Sequence, residues 1–454
     1  MKKKLITLLA VSLIVTLLAF SASAAVFENY AADLNALGLF QGTGTGYDLD
    51  RAPTRAEAGV MLVRLLGQES AALTGDFAHP FTDVPEWADP YVGYLYENGL
   101  TRGVSDTEFG VSALCDAQMY TTFVLRAMGY SDADGDFTYA AALTFGAEIG
   151  IVDDFVAGTT FLRDNMVAIS YLSLNAPVNS EDAGTLLNKL VADGAVTAEA
   201  AKPLLDRFAL YGEYSQLAKT ANTAKSMDAD FDITMDASVI GQAVAVTFKG
   251  NVKAIVPSAT QIDGLAMTGT MTAEGETMNL TAYYKDGFFY MNMDGEKVKM
   301  AMDFDEMFAM VEATDSTFIV SNNPSYLLKN LTKTTAGNLT TYSYEISADI
   351  SSALFDQVLT ASLAEMDEMA GLGATFSIDK SAISETYNSD KTLKSINLEI
   401  SFSMTMQAEG AVIPVSFNLN MTMDVNSMNS NLTITYPTDL DTYVDMEEAL
   451  NAAA

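Results

Sequence analysis

The chain reads as multidomain, α then α+β: an all-α front of three repeated units, then a curved antiparallel sheet packed on helices. Three observations lead there. A helix–loop–helix unit recurs three times between about residues 27 and 176. Past about Met227 the apolar period changes from 3.6 to 2, which is the change from one face of a helix to one face of a sheet. Finally, 454 residues at 49% hydrophobic and 18% charged leave room for two or three cores and do not describe a disordered polyelectrolyte.

The clearest unit runs from Phe81 to Gly129. Asp89-Pro90 reads as a helix entry, Asp89 accepting from free amides and Pro90 lacking a donor where none is needed. Gly99 is the exit, since glycine takes the left-handed position past a helix end. Tyr91 and Leu95 share one face, and Tyr120, Phe123, Val124 and Ala127 form the stripe of a second helix. In the copy before it, Tyr30, Leu34 and Gly38 correspond to Tyr91, Leu95 and Gly99. Ala58, Met61, Leu62 and Leu65 correspond to the second stripe, and Arg64 and Gly67 to Arg126 and Gly129. A third copy with a shorter loop has Gly150 as its exit and Val167, Tyr171 and Leu174 as its stripe. The expected units are about 27–67, 81–129 and 137–176, within a module at 25–178.

Ahead of them, Lys2-Lys3-Lys4, an apolar run from Leu5 to Phe20 and Ala22-Ser23-Ala24 read as a secretory leader, residues 1–24, cut after Ala24. The cut predicts a secreted protein, and no later run is long and apolar enough to be a transmembrane segment. Formal charge is −35, which excludes nucleic acid as a partner, because phosphates require a basic surface. Cys115 is the one cysteine, so no internal disulfide can form, and a small buried side chain is expected there.

Enzyme chemistry finds little support. His79 is the sole histidine, which leaves histidine triads and multi-histidine metal sites without partners. Asp132 to Asp136 resembles the opening of a calcium loop, but Leu143 stands where the closing glutamate belongs, so an acidic turn is expected. The reading is no enzyme, no metal and no cofactor.

Leu186, Leu187, Leu190 and Val191, then Leu204, Leu205, Phe208 and Tyr211, predict a helical connector over 179–225. The sheet is expected over 226–440, with a tail at 441–454. Leu398, Ile400, Phe402, Met404 and Met406, and Val415, Phe417, Leu419, Met421 and Met423, alternate with polar residues as in strands with one dry face. Asp286-Gly287 and Asp294-Gly295 are hairpin turns around Phe288 to Met293. Asp303 to Glu312 and Ser351 to Met369 interrupt the strands, the latter with helical spacing. Glycines at edges and bulges are expected to curve the sheet.

FTDVPEWADPYVGYLYENGL, together with Pro53-Thr54-Arg55-Ala56-Glu57 ahead of the preceding second helix, resembles the S-layer homology (SLH) domain over about residues 27–176. The resemblance implies a helical pseudo-threefold module that anchors exported proteins to a secondary cell-wall polysaccharide, and so a cell-wall or extracellular location. It points to Thr54, Arg55, Glu57, Asp83, Trp87 and Arg163 as binding residues. A planar guanidinium just inside a helix start suits an anionic sugar substituent such as a pyruvyl ketal. Glu57 either orients it or forms a capping box with Thr54; Trp87 either stacks on a sugar or lies under its helix. The second copy has Cys115-Asp116-Ala117-Gln118 where the arginine belongs and the third has Leu162-Arg163-Asp164-Asn165, implying one or two sites.

The back half is similar to the lipoprotein-carrier superfamily. The resemblance rests on Tyr283-Tyr284-Lys285-Asp286-Gly287-Phe288-Phe289-Tyr290-Met291 with Glu296-Lys297-Val298-Lys299-Met300, and implies an open half-barrel around helices. A lipid or other apolar ligand would then contact Met291, Met293, Phe402, Met404, Phe417 and Met421. The same methionine-rich face equally fills an irregular core, which leaves a structural or adhesive surface domain as the alternative.

Overall fold

A computed structural model describes residues 26–446 except 43, 45, 181–183, 240–241, 258–261, 274, 303–323, 354–372 and 409–410. The leader, the stretch from Asp303 to Glu312 and the part of the Ser351–Met369 helix beyond residue 353 lie outside the described residues. Two compact units divide the chain, the first ending at Ala209 and the second beginning at Leu210. The division falls inside the helix Ala198–Asn222.

In the first unit each repeat pairs a shorter helix with one of eleven residues: Glu28–Ala36 with Arg55–Leu65, Asp89–Glu97 with Ala117–Ala127, and Ala142–Glu148 with Arg163–Ser173. All three short helices end alike. Gly38, Gly99 and Gly150 have φ of 75°, 71° and 80°, and the next amide turns back, Leu39 to Leu34 O, Leu100 to Leu95 O and Ile151 to Gly146 O. This closure absorbs carbonyls the helix would leave open, and a Cβ would oppose it.

The entries differ. Thr54 accepts from the Glu57 amide and Glu57 from the Thr54 amide, a reciprocal cap. Asp116 accepts from Met119 N at 2.7 Å. In the third repeat Leu162 has no side-chain acceptor, and Asn165 takes its amide instead at 2.7 Å. At the entry expected from Asp89, Ala88 occupies the cap and Asp89 is the first helical residue. The Ala88 and Asp89 amides both donate to Pro85 O, so the turn before the helix does the capping, and the Asp89 carboxylate lies 3.1 Å from His79 Nε2.

Leu34, Leu62, Leu65, Tyr120, Phe123, Met166, Val167 and Leu174 are essentially inaccessible and form the core of this unit. The repeats are also tied through backbone. Arg55 N donates to Ala113 O and Cys115 N to Pro53 O, while Arg163 N donates to Arg51 O. The start of one repeat's long helix is thereby stitched to another repeat's loop.

The second unit holds an unclosed sheet of twelve strands among the described residues: β1 (Ser226–Val239), β2 (Gln242–Ile255), β3 (Gly264–Ala273), β4 (Glu276–Lys285), β5 (Phe288–Met293), β6 (Glu296–Ala301), β7 (Leu328–Ala336), β8 (Leu339–Ile346), β9 (Gly373–Tyr387), β10 (Leu393–Ala408), β11 (Ala411–Met428) and β12 (Val444–Asp445). Their order is β12-β6-β5-β4-β3-β2-β1-β11-β10-β9-β8-β7. Only the short β12–β6 pair is parallel among these. Alternation sets the register: Ile400 opposes Leu419, Leu419 opposes Met235, Met235 opposes Val246 and Val246 opposes Ala273. Slipping any strand by one residue would turn this row to water.

Both hairpin turns form as expected, with φ of 51° and 80° at Asp286-Gly287 and 48° and 96° at Asp294-Gly295. Two positive φ values in succession twist the chain to match the strands. Bulges interrupt the ladder at Asp228/Ala229 and Ser401/Phe402. The glycines that matter stand mid-sheet as well as in turns. Gly250 faces Gly269 across β2 and β3, and a Cβ on either would meet a backbone oxygen at 2.2 Å.

On the apolar face of β1 and β8 to β11 lies the end of the Ala198–Asn222 helix. Tyr214 and Ala218 pack with Ala229, Tyr342, Tyr387, Leu393 and Val425. Glu385 sits among them and accepts from Tyr214 at 2.9 Å, Tyr344 at 2.8 Å and Tyr387 at 2.5 Å. Burial first, and the nearby Glu385 charge second, push the Tyr344 and Tyr387 hydroxyls well above their ordinary range, so they remain donors. Replacing Glu385 by leucine strands up to three donors and should cost about 2–4 kcal/mol, whereas Tyr214→Phe leaves two of the three bonds to the carboxylate, loses a 3.1 Å contact with the Tyr344 hydroxyl as well, and should cost about 1 kcal/mol. Urea unfolding followed by far-UV circular dichroism measures both. Equal losses would contradict the carboxylate's central place.

Candidate functional site

Arg55 is the first helical residue after the Thr54 cap and is 6% exposed. Its guanidinium carbon lies 4.9 Å from the ring centres of both Phe109 and Phe123. Among the described residues its guanidinium makes one hydrogen bond, a long one from Nη2 to the Thr101 hydroxyl at 3.4 Å, and Nε is buried with no partner. Burial lowers its pKa, so the site disfavours the charge it holds. Two aromatic faces recover part of the cost, but no carboxylate among the described residues pairs with it.

Around Arg55 is a groove of about 310 Å³ lined also by Arg102, Arg126, Met119, Phe123 and Tyr139. Arg126 is already committed: Nε and Nη2 donate to the two Asp132 oxygens at 2.9 and 2.8 Å. Arg102 is largely exposed and reaches the same carboxylate only at 3.4 to 3.5 Å. The hydrogen bond from Arg126 holds the Asp132 carboxyl below its ordinary range. Asp132 thus pairs closely with Arg126 and loosely with Arg102, and does not reach Arg55. Cys115 borders Arg55, and burial, with Asp116 adding to it, pushes its thiol up to about 12; a thiol so hard to ionise is a packing residue.

The remaining sequence candidates are placed variously. Thr54 and Glu57 form the capping box, and Glu57 is further held by Arg51, Nη1 to Oε2 at 2.9 Å and Nη2 to Oε1 at 2.6 Å. Asp83 accepts from the amides of Phe109, Gly110 and Val111 at 2.7, 2.7 and 3.2 Å. Burial pushes its carboxyl up, but the three amides outweigh it and leave it below the usual range. Its part is to hold the loop that presents Phe109 to Arg55. Trp87 is 56% exposed and does not line the groove. Arg163 is 7% exposed, over the Phe40 ring at 5.7 Å, and donates through Nη2 to Tyr47 O at 3.2 Å. It is buried like Arg55 but better satisfied.

Arg102, Arg126 and Tyr139 were not singled out as site residues by sequence. The correspondence of Arg126 with Arg64 was visible, yet Arg64 pairs with Glu69 at 2.8 Å, in a different setting.

On the sheet, Phe402, Phe417, Met404 and Met293 gather in one apolar cluster with Met235, Val246, Met271 and Val415. Phe402 and Phe417 stack at 4.8 Å. Met291 and Met421 share that face but not that cluster. A trough of about 520 Å³ lies along the polar row Thr332, Ser343, Ser384, Asn397 and Thr422.

Residues 80–116 match the family model of the S-layer homology domain, the stretch that holds Asp83 and the Phe109 loop. The chain is 27% identical over 203 residues to a cell surface protein of Thermoanaerobacter kivui, covering 43% of this chain and 25% of that protein. It is 31% identical over 145 residues to the middle cell wall protein of Brevibacillus brevis, covering 29% and 14%. With a surface layer protein of Brevibacillus choshinensis it shares 29% over 164 residues, covering 33% and 15%. The chain therefore spans a quarter or less of each of these relatives. The family match and these relatives support a cell-wall or extracellular location. Among solved structures, a LolA superfamily protein from Nitrosomonas europaea is 7% identical and covers 51% of this chain and 96% of its own, at a TM-score of 0.17. A DUF1329 family protein from Desulfovibrio piger is 10% identical and covers 50% and 94%, also at 0.17. Scores that low say nothing of function.

Glu57 makes the pH behaviour of the module testable. The hydrogen bond from Arg51, against a smaller opposing effect of burial, holds its carboxyl at about 2, down from 4.5. A carboxylate that binds its proton less tightly folded than unfolded stabilises above its unfolded pKa and loses that contribution as pH falls. Allowing for solvent screening, roughly 1–2 kcal/mol is present above pH 4.5 and fades toward pH 2. Glu57→Gln should therefore lower the melting temperature at neutral pH, with the gap narrowing below pH 4.5. A gap independent of pH would exclude the ion pair as its cause.

Proposed function

We propose that the first unit is a wall anchor that grips an anionic substituent of a cell-wall polysaccharide with Arg55, in the groove shared with Arg102. One observation carries this reading: Arg55 is a buried guanidinium, paired with no carboxylate among the described residues, at the edge of an open groove. An uncompensated buried charge lowers stability by several kcal/mol, and an anion arriving from solvent is the compensation the geometry leaves room for. The rings of Phe109 and Phe123 fix the planar fork. The S-layer homology match over residues 80–116 supports it.

Arg163 is the secondary candidate, since a backbone carbonyl already meets part of its demand. For the sheet unit the proposal is display with a structural role and no catalysis. Its Phe402, Phe417, Met235 and Val415 cluster is already buried within the chain, which favours a packed core over an apolar-ligand cavity.

Binding to purified wall sacculi, with and without their secondary polymer, tests the anchor. Arg55→Met should weaken retention about 10- to 100-fold while leaving the protein as stable as wild type or more so, because methionine fills the site without a charge. Arg55→Lys should not restore binding, since a point charge lacks the fork. Arg163→Met should have the smaller effect. Full retention by Arg55→Met, or retention on sacculi stripped of the polymer, would overturn the proposal.

A further inference from the structure

Three arginines line the groove at Arg55, and among the described residues one carboxylate pairs with any of them. Asp132 accepts from Arg126 at 2.8 and 2.9 Å, the ordinary range for such a bond. The same two oxygens face Arg102, whose Nη1 and Nη2 stand 3.5 and 3.4 Å away, beyond the range where a hydrogen bond is strong. One acid thus serves two guanidiniums, and Arg126 has the larger share. Asp116 also attracts Arg55, but it is committed to Met119 N at 2.7 Å as the cap of its own helix.

Arg102 has a fixed root and a loose end. Ahead of it, Leu100 O accepts from Arg126 Nη1 at 3.3 Å. The Thr101 hydroxyl, on a residue 1% exposed, accepts from Gly103 N at 3.3 Å and from Arg55 Nη2 at 3.4 Å. Gly103 turns the chain with φ of 76°, and a Cβ there would meet the Phe81 ring at 2.3 Å and Glu108 O at 2.6 Å, so only glycine allows the turn. The Arg102 side chain itself is 58% exposed, against 13% for Arg126. An ion pair so exposed contributes little to the fold, and giving it up for another anion costs little. Giving up the close two-bond pair at Arg126 would cost far more.

We propose that Arg102 is a second arm of the anion site and that Asp132 sets its affinity: an arriving oxyanion of the wall polymer takes Arg102 from Asp132, while Asp132 keeps Arg126. Guanidiniums from two different repeats then close on one substituent, and Asp132 is the internal anion that the ligand displaces. The inference rests on the reading that Arg55 grips such an anion.

Retention on purified wall sacculi tests it with full-length chains at about 0.15 M salt, where exposed charges are screened beyond roughly 8 Å. Arg102→Gln should weaken retention about 5- to 10-fold and leave the melting temperature where it was. Arg102→Lys should keep most of the binding, because an exposed arm acts through its charge. Asp132→Asn should tighten retention about 2- to 5-fold, the reverse of what damage to a structural pair does. Made together with Arg102→Gln, the same change should gain little, since the arm it releases is gone. Wild-type retention by Arg102→Gln overturns the second arm. No gain from Asp132→Asn, or an equal gain with and without Arg102, overturns the exchange. Should Asp132→Asn fail to fold with Arg126 stripped of its partner, equal retention by Arg102→Gln and Arg102→Lys overturns the proposal instead. Arg55→Met, run alongside, separates the two levels: full retention there removes the underlying reading, whereas loss there with wild-type retention by Arg102→Gln overturns this inference alone.

Discussion

A guanidinium taken out of water must be given something in return, and the front unit is arranged around one that has been given too little. Arg55 is held at the first position of its helix by a reciprocal cap and by backbone bonds to the Ala113 to Cys115 segment. Phe109 reaches it because Asp83 gathers three consecutive amides of the next loop. Phe123 comes from the second repeat's long helix. These pieces provide ring faces, not anions, so among the described residues the charge is left without a carboxylate.

The neighbouring arginines show that the chain balances such charges elsewhere. Arg126 has both Asp132 oxygens, Arg51 has Glu57, and Arg163 has the Tyr47 carbonyl. With 59 acidic residues against 24 basic, a carboxylate would have been easy to supply. Among the described residues none pairs with Arg55, and the binding role proposed for it rests on that contrast, since a permanent partner would compete with any ligand.

The sheet unit depends on alternation instead. A row such as Ile400, Leu419, Met235, Val246 and Ala273 crosses five strands without a polar residue, and methionine's flexibility lets strands of differing twist share that face. Where even methionine would be too large, Gly250 and Gly269 let the two backbones approach. The Glu385 cluster then ties helix to sheet with charge-assisted bonds that fix one docking position.

Much of this could be read from residue order because it is local physics. Glycine at the helix ends, Asp-Gly in the hairpins, the Thr54–Glu57 cap and the period-2 strands each depend on atoms a few residues apart, and each stands as read. Asp89 did not, because the Pro85 carbonyl captured its amide and left the carboxylate for His79. The groove was legible only at Arg55. Arg102, Arg126 and Tyr139 reach it from other turns of the chain, and Trp87, prominent in the sequence, faces water outside it. Which residues share a pocket, and which buried charge lacks a partner, are properties of distance across the folded repeats, and separation along the chain carries no record of that distance.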